Sequence, residues 1–367
     1  LMRNHYQAAL SSDYFISDVE VMWSNLEKKS ETSFFLSWSW IGTWLTSFNI
    51  RPMLLEIKDD KERIVGLGFL TKKAFRYKFL TLERLYLNRT GDPEMDQVWI
   101  EYNDVLVESG LEDEVRSFVF HYLESDFNID EIMIGVSDSS IFSKINKKLF
   151  HEKVFSESYS YQVSLNSDLQ TVEDFLSLLS RNTRYQIHRS IKKFEENYGQ
   201  LKIDLAVGVK EKKEYLSELK LLHKNRWDRT QTSSGFNNEK FNIFHENLLG
   251  NNETDLFKVT SGEKVIGYLY CFRYSGKSLF YLSGIEEFSD SKLKPGLVMH
   301  CLAIVYYSKL GIIEYDFLAG DYQYKKSLSN KNKKMSLRII RKKNIKTEVI
   351  SKLESIKGYM ERRCTEV

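Results

Sequence analysis

The stretch Glu314–Ser329, EYDFLAGDYQYKKSLS, sets a carboxylate inside an apolar run and follows it with a glycine, a tyrosine and a lysine. In a strand, Ile313, Tyr315 and Phe317 face one way and Glu314, Asp316 and Leu318 the other. Asp316 is then deep in a strand that should be buried. A carboxylate there is costly unless it is paired or hydrogen-bonded. Gly320 would turn the chain back and bring Tyr324 and Lys325 within reach. An aspartate so placed could take a proton from an attacking nucleophile, with a tyrosine at hand to return one to a leaving group. The same residues also suit a plain ion pair, or an acid solvated at a sheet edge.

Two further groups carry possible chemistry. Ser291-Lys292-Leu293-Lys294-Pro295-Gly296 precedes LVMHCLAIVYYSKL, which is apolar nearly all round and predicts a mostly buried helix. Free backbone N–H groups at its start, with an unhindered glycine and nearby lysines, suit an anion such as phosphate. An ordinary Pro-initiated helix is the simpler reading of the same residues. His223 and Trp227 stand at i, i+4 on one helical face, where a histidine could accept a proton and a tryptophan could wall a slot. A satisfied core histidine is the commoner fate. No HxxxH, no Cys–His zinc spacing, no GxSxG and no Walker loop occur, so metal hydrolysis, serine-type catalysis and P-loop chemistry are not expected. A basic tail, from Lys325-Lys326 through Lys333-Lys334 to Arg341-Lys342-Lys343, flanks Met335–Ile340, which predicts a strand. Charge runs of this kind are usually solvated.

The elements that must position these residues follow from periodicity. Thr183–Tyr198 sets Ile187, Ile191, Phe194 and Tyr198 in one apolar stripe, with Arg181, Arg184, His188 and Lys192 in a cationic stripe beside it. Ser180 or Asn182 would cap this helix and Gly199 would end it. A second helix spans about residues 212–229 and aligns Leu216, Leu219, His223 and Trp227. An internal echo organises the rest. Glu62-Arg63-Ile64-Val65-Gly66-Leu67-Gly68-Phe69 returns as Glu263-Lys264-Val265-Ile266-Gly267-Tyr268-Leu269-Tyr270. Each copy predicts a hairpin, then a third strand, a helix (112–123; 296–310) and a closing strand (131–136; 312–318). The order β-β-β-α-β thus occurs twice, with an insertion near residues 88–110 in the first copy. Two related domains account for so long a period.

Composition agrees. The chain has 367 residues, 42% of them hydrophobic, enough for more than one core. With 53 basic and 51 acidic groups the net charge is +2, which argues against a dedicated nucleic-acid binder. Cys271, Cys301 and Cys364 are far apart and form no framework, as expected of reduced thiols. No apolar run is long enough to span a membrane and the first residues lack a secretory h-region, so a soluble, cytoplasmic protein is expected.

In order and spacing, these segments resemble the FemAB-like branch of the GNAT acyltransferase superfamily, in particular the BioF-like or CelD-like acetyltransferases. The likeness begins at FFLSWSWIGTWLTSF (Phe34–Phe48) and passes through LSRNTRYQIHRSIKKFEE (Leu179–Glu196) and LLHKNRW (Leu221–Trp227). It ends in KVIGYLY, LFYLSGIEEF and LKPGLVMHCLAIVYYSKLGIIEYDFLAGDYQYKKSLS. It implies an α/β (α+β) fold of mixed sheets in tandem GNAT-like domains, each β-β-β-α-β with flanking helices. These would be residues 1–165, non-catalytic, and 166–367, the acyltransferase domain including central helices in 171–229. It also implies transfer of an acyl group, acetyl first among them, from acyl-CoA to an amine or hydroxyl of a sugar, cell-envelope precursor or amino acid. No metal is called for. The loop [QR]-x-x-G-x-[GA] of simpler GNAT enzymes is replaced by SKLKPGL. On this resemblance His223 or Asp316 takes the proton and Lys325 orients Asp316 or binds an anionic acceptor. Tyr281 or Tyr324 protonates the departing thiolate. Lys294, Gly296, Leu297 and Tyr324 bind the donor, and Trp227, Arg184 and Gly320 the acceptor. The sheet is expected to open between Leu279–Ser283 and Ile312–Leu318 to hold the thioester arm. Two rival readings are aminoacyl-tRNA-dependent transfer to a peptidoglycan precursor, and a non-catalytic polysaccharide- or complex-binding protein.

Overall fold

The computed structural model describes residues 5–77, 79–125, 129–145, 147–227 and 234–354. In chain order the elements are β1 (Tyr6–Ser11), α1 (Ile16–Glu27), α2 (Trp38–Phe48), β2 (Met53–Asp59), β3 (Ile64–Tyr77), β4 (Leu80–Leu87), β5 (Leu106–Val107), α3 (Glu112–Ser125) and β6 (Glu131–Asp138). Then come β7 (Phe150–Ser164), α4 (Val172–Ser177), α5 (Arg181–Tyr198), β8 (Leu201–Leu205), α6 (Gly208–Trp227) and α7 (Glu239–Leu248). The chain continues with β9 (Thr254–Ser261), β10 (Lys264–Tyr274), β11 (Lys277–Ile285), α8 (Pro295–Lys309), β12 (Glu314–Ala319), α9 (Gln323–Leu328) and β13 (Lys331–Lys342). Arg229, the expected end of α6, and Cys364 are outside the described residues.

The chain forms two compact units: Leu1–Gly42, Ile50–Glu157 and Met335–Val367 make the first, Thr43–Asn49 and Ser158–Lys334 the second. A cut at residue 165 assigns the C-terminal strand to the second half. In the structure Met335–Arg341 pairs antiparallel with β6, so from Met335 onward the chain returns to the first unit.

In the first unit the strands run β1-β2-β3-β4-β6-β13. Helix α3 covers one face through Val115, Val119, Phe120 and Leu123, packed on Leu85, Ile132, Ile134 and Ile340. In the second unit the order is β7-β12-β11-β10-β9-β8. Its core forms where α8, apolar nearly all round, lays Val298, Met299, Cys301 and Ile304 against Ile266, Leu269, Phe280 and Phe317. Helix α6 packs across β10 and β11.

The internal echo holds at the level of hydrogen-bond register. In β2–β3, Ile57 faces Gly66 and Lys58 faces Ile64, so Val65 is skipped. In β9–β10, Val259 faces Gly267 and Thr260 faces Val265, so Ile266 is skipped. Both hairpins carry a bulge at the residue before the repeated glycine, a device that bends and twists a strand. Capping follows the sequence signals as well. The Ser180 hydroxyl accepts the Thr183 N–H at the start of α5, and Gly199 ends that helix at φ +102°.

Candidate active site

The strands of the second unit open where the sequence placed an aspartate. β11 and β12 run parallel and pair at Lys277–Glu314, Ser278–Tyr315 and Leu279–Asp316. Beyond Asp316 the register of β12 breaks, Leu318 takes a left-handed φ of 59°, and Ala319 pairs with Ser160 on β7. β11 instead continues along β10 to Ile285. A wedge thus opens past Leu279 and Asp316, bordered on one side by the Phe280–Ile285 edge of β11. A bulge marks that edge: Tyr270 faces Leu282 and Cys271 faces Phe280, so Tyr281 is skipped. A strand edge past the end of its pairing offers N–H and C=O groups to an extended, amide-bearing ligand.

Asp316 is 2% exposed. Its Oδ1 accepts from the Ser160 hydroxyl at 2.7 Å and from the Leu318 N–H at 2.7 Å. The Gln162 amide donates in turn to the Ser160 oxygen at 2.6 Å. The carboxylate therefore holds the irregular turn that parts β12 from β11. Lys325, also buried, reaches the same turn from its carbonyl side, donating to Leu318 O at 3.2 Å and Ala319 O at 2.8 Å. Gly320 closes this turn at φ +130°, a conformation that disfavours a side chain. Tyr324 stacks on His300 with ring centroids 5.4 Å apart, and burial raises its hydroxyl above the usual tyrosine range. His300 is pushed down to about 3 by burial first and by the Lys325 charge second. It is therefore neutral at ordinary pH, and its Nδ1 meets the Tyr315 hydroxyl at 3.0 Å.

The start of α8 stands at the far end of β11. A Cβ on Gly296 would meet Ile285 Cδ1 at 3.3 Å, and the half-buried Leu297 packs onto the core. Lys294 precedes the helix, and its N–H is held by the Ser190 hydroxyl of α5 at 2.8 Å. Next to Ser190, Arg189 sets its guanidinium over Tyr185 at 5.5 Å, and its buried Nε has no hydrogen-bond partner among the described residues. Arg184 is half-buried on the same helix. Helix-start N–H groups beside cationic side chains suit phosphate.

The remaining candidates line the other face of β11. Helix α6 crosses at Gly284, where a Cβ would come 2.5 Å from Leu219 O, so only glycine allows this approach. One turn on, His223 Nδ1 is 2.8 Å from the Ser234 hydroxyl, and its ring sits 5.8 Å from Trp227 and 5.4 Å from Phe236. Tyr281 packs against His245, Tyr270 and Phe272 at 5.1, 5.8 and 5.2 Å. Phe241, Phe236 and His245 link it by ring contacts to His223. Arg184 on α5 apart, the candidates form three groups: Asp316, Gly320, Tyr324 and Lys325 at the β12 turn, Lys294, Gly296 and Leu297 at the α8 start, and His223, Trp227 and Tyr281 on the α6–α7 face.

Sequence reasoning missed Ser160, Gln162, His300 and Ser234. Ser160 is 156 residues from Asp316, and no local spacing signals such a pair. The His300 ring on its buried helix was visible as a polar residue in an apolar run. Asp316 Oδ1 is anchored by Ser160 and the Leu318 N–H, two partners that the sequence did not point to. Burial raises the Cys271 and Cys301 thiols above their usual range, so neither is a reactive thiolate. Among the described residues no cluster of three His, Cys, Asp or Glu could hold a metal.

The first unit repeats the parting of strands and fills it. β4 and β6 pair in parallel at Arg84–Glu131, Leu85–Ile132 and Tyr86–Met133. Beyond these, Asn103 bridges the two strands, donating through its amide to Leu87 O at 2.8 Å and Gly135 O at 3.3 Å. Its backbone N–H binds Val136 O at 2.9 Å, and Asn88 donates to its Oδ1 at 3.0 Å. The insertion noted near residues 88–110 therefore plugs the gap.

Residues 181–326 match the family model described as acetyltransferase (GNAT) domain. No curated protein sequence matches the chain. Among solved structures, FemX is similar in fold over 90% of this chain and 96% of its own, at 10% identity and a TM-score of 0.56. A conserved protein of unknown function from Bacteroides thetaiotaomicron VPI-5482 is similar over 92% of this chain and 100% of its own, at 13% identity and a TM-score of 0.53. L-PGS from Bacillus licheniformis is similar over 89% and 93%, at 10% identity and a TM-score of 0.52. The matched segment, residues 181–326, contains the wedge, the α8 start and the Asp316 turn.

Proposed function

We propose that the second unit transfers an acyl group, acetyl first among candidates, from acyl-CoA to an amine or hydroxyl acceptor. The acceptor would be a sugar, cell-envelope precursor or amino acid, as in the FemAB-like and BioF-like enzymes that the sequence resembles, and the reaction would be cytoplasmic. The observation that carries this reading is the wedge: β11 and β12 part at Asp316 while α8 opens with a Pro-Gly start beside the far end of β11. The pantetheine arm, with two amides, suits the Phe280–Ile285 edge of β11, and the donor's phosphates suit the N–H groups of Gly296 and Leu297 next to Lys294.

In this reaction the nucleophile attacks the thioester carbonyl, the new C–N or C–O bond forms, and the C–S bond breaks. His223 or Asp316 takes the nucleophile's proton, directly or through water, and Tyr324 or Tyr281 supplies one to the thiolate. Burial keeps the Tyr324 hydroxyl protonated, as a donor requires. Lys325 steadies the turn that carries Asp316, while Trp227, Arg184 and Gly320 border the acceptor side. Holding both reactants in place supplies much of the rate, without a covalent enzyme intermediate. The first unit is non-catalytic in this account, because Asn103 occupies its equivalent gap.

The test is direct. The protein is incubated with a panel of acyl-CoA thioesters and amine or hydroxyl acceptors, and thiol release is followed together with thermal stabilisation. A bound donor at a hundredfold excess over its Kd should stabilise the fold by about 2.7 kcal/mol. No stabilisation by any thioester, with turnover only of charged tRNA, would replace this reading by the aminoacyl-tRNA one.

A further inference from the structure

The first unit holds a cavity of about 780 Å³ on the sheet face turned away from α3. Such a volume is in the range of small-molecule sites, roughly 300–1,000 Å³. Its floor is built in register across three strands. Arg84 and Arg341, on β4 and β13, stand either side of Glu131 on β6, which lies beneath the floor, and Tyr86, Met133 and Ile339 form the next row. Arg84 and Arg341 both bind the fully buried Glu131, and Glu354 ties Arg341 to Lys153 with contacts of 2.7 Å each. On the rim, Arg89 is paired with Asp96 at 3.3 Å.

With Glu94, which also lines the cavity, four carboxylates stand against four cations and the charges cancel. The four cations of the lining, Arg84, Arg89, Lys153 and Arg341, each have a carboxylate partner, from Glu131, Glu354 or Asp96. A phosphorylated ligand would have to break these pairs, and a purely apolar one would leave their outward donors and acceptors unused. Against this polar row stand three aromatic rings that face solvent: Phe75, Trp99 and Phe155 are 37%, 54% and 60% exposed. Rings with negative faces attract the weakly positive C–H faces of a pyranose, while fixed carboxylates and guanidinium groups match its hydroxyls.

The rim is held rigid before any ligand arrives. The Asp96 carboxylate accepts from Thr90 N, Thr90 Oγ1 and Gly91 N at 2.7, 2.8 and 2.9 Å. Gly91 sits at φ +68°, where a Cβ would be 2.6 Å from the Tyr86 ring, so the loop lies directly on the floor. Trp99 is held in the left-handed region at φ 45°, a strain that large side chains rarely bear without a role.

We propose that this cavity binds a neutral saccharide, its rings stacked on Trp99 and Phe155 and its hydroxyls bonded to Arg84, Arg341 and Glu354, which line it. The site is contained in the first unit and stands whether or not the second unit transfers acyl groups. Full-length protein is titrated with chitotetraose, cellotetraose and maltotetraose, and separately with uridine diphosphate, by calorimetry and saturation-transfer NMR. At least one tetrasaccharide should bind, with its ring C–H protons saturated most strongly, and uridine diphosphate should not displace it. Trp99→Asn, which suits the left-handed backbone, and Phe155→Ala should each weaken binding by about tenfold or more, with acetyl-CoA stabilisation the same as in the parent protein. Failure of all three sugars to show Trp99-dependent binding up to roughly 10 mM, which corresponds to an interaction too weak to be specific, overturns the proposal. Tighter binding of uridine diphosphate at the same residues overturns it as well.

Discussion

Replacing Asp316 by asparagine separates its two roles. Oδ1 accepts from Ser160 and from the Leu318 N–H, both at 2.7 Å, and an asparagine oxygen can take its place. The bonds survive but lose their charge assistance, a difference of about 0.5–1.5 kcal/mol for each bond. The fold should therefore lose about 1–3 kcal/mol, readable as a lowered denaturant midpoint with an unchanged m-value. Alanine is worse, because it strands a hydroxyl and an N–H in a buried site at about 1–3 kcal/mol apiece. Catalysis should respond differently. If Asp316 takes the proton, the asparagine protein should fold, bind acyl-CoA with little change, and turn over about 10²–10⁴-fold more slowly. Thiol release under saturating donor, alongside a binding isotherm, reads both quantities. A folded Asp316→Asn protein with undiminished kcat would refute the role and leave His223 as the proton acceptor.

Other consequences can be checked on stability alone. Gly284→Ala drives a Cβ to 2.5 Å from Leu219 O, a backbone atom that cannot swing aside, so α6 must shift. The cost should reach the upper part of the roughly 1–3 kcal/mol typical of overpacking, with activity lost as His223 moves. His300 is held down at about 3, below its unfolded value near 6.5. Its contribution is complete above about pH 6.5 and is lost as pH falls toward 3. Between pH 7 and 5 that loss should be about 2 kcal/mol, and a His300→Asn protein should lack this part of the acid sensitivity in chemical unfolding. Ser180→Ala removes the α5 cap and should lower stability by about 1 kcal/mol, with Ser180→Gly costing less.

Much of the second unit could be read from sequence because its signals are local. Ser180, the Ile187–Phe194 stripe and Gly199 bound α5, and Pro295 with an apolar run defines α8. The Glu-x-[Ile/Val]-[Ile/Val]-Gly echo located two hairpins whose bulges coincide in register. What sequence could not supply was long-range. The return of β13 to β6 joins residues some 200 positions apart, and no periodicity records a strand's partner. The Ser160–Asp316 bond has the same character. Lys325 illustrates a third limit: its return to the β12 turn was foreseeable, while its bonds to the Leu318 and Ala319 carbonyls depend on a left-handed Leu318 that no apolar pattern announces. The first unit's gap, filled by Asn103, was visible only as an insertion.

Hydrogen exchange on the full chain, with and without acetyl-CoA, tests the wedge itself. Donor bound as proposed should slow exchange in peptides covering Phe280–Ile285 of β11 and Gly296–Leu297 of α8, while the Asn103 bridge of the first unit stays unaffected. Saturating acetyl-CoA that leaves those two segments unprotected, or protects a different region alone, would contradict the claim that the parted strands receive the acyl donor.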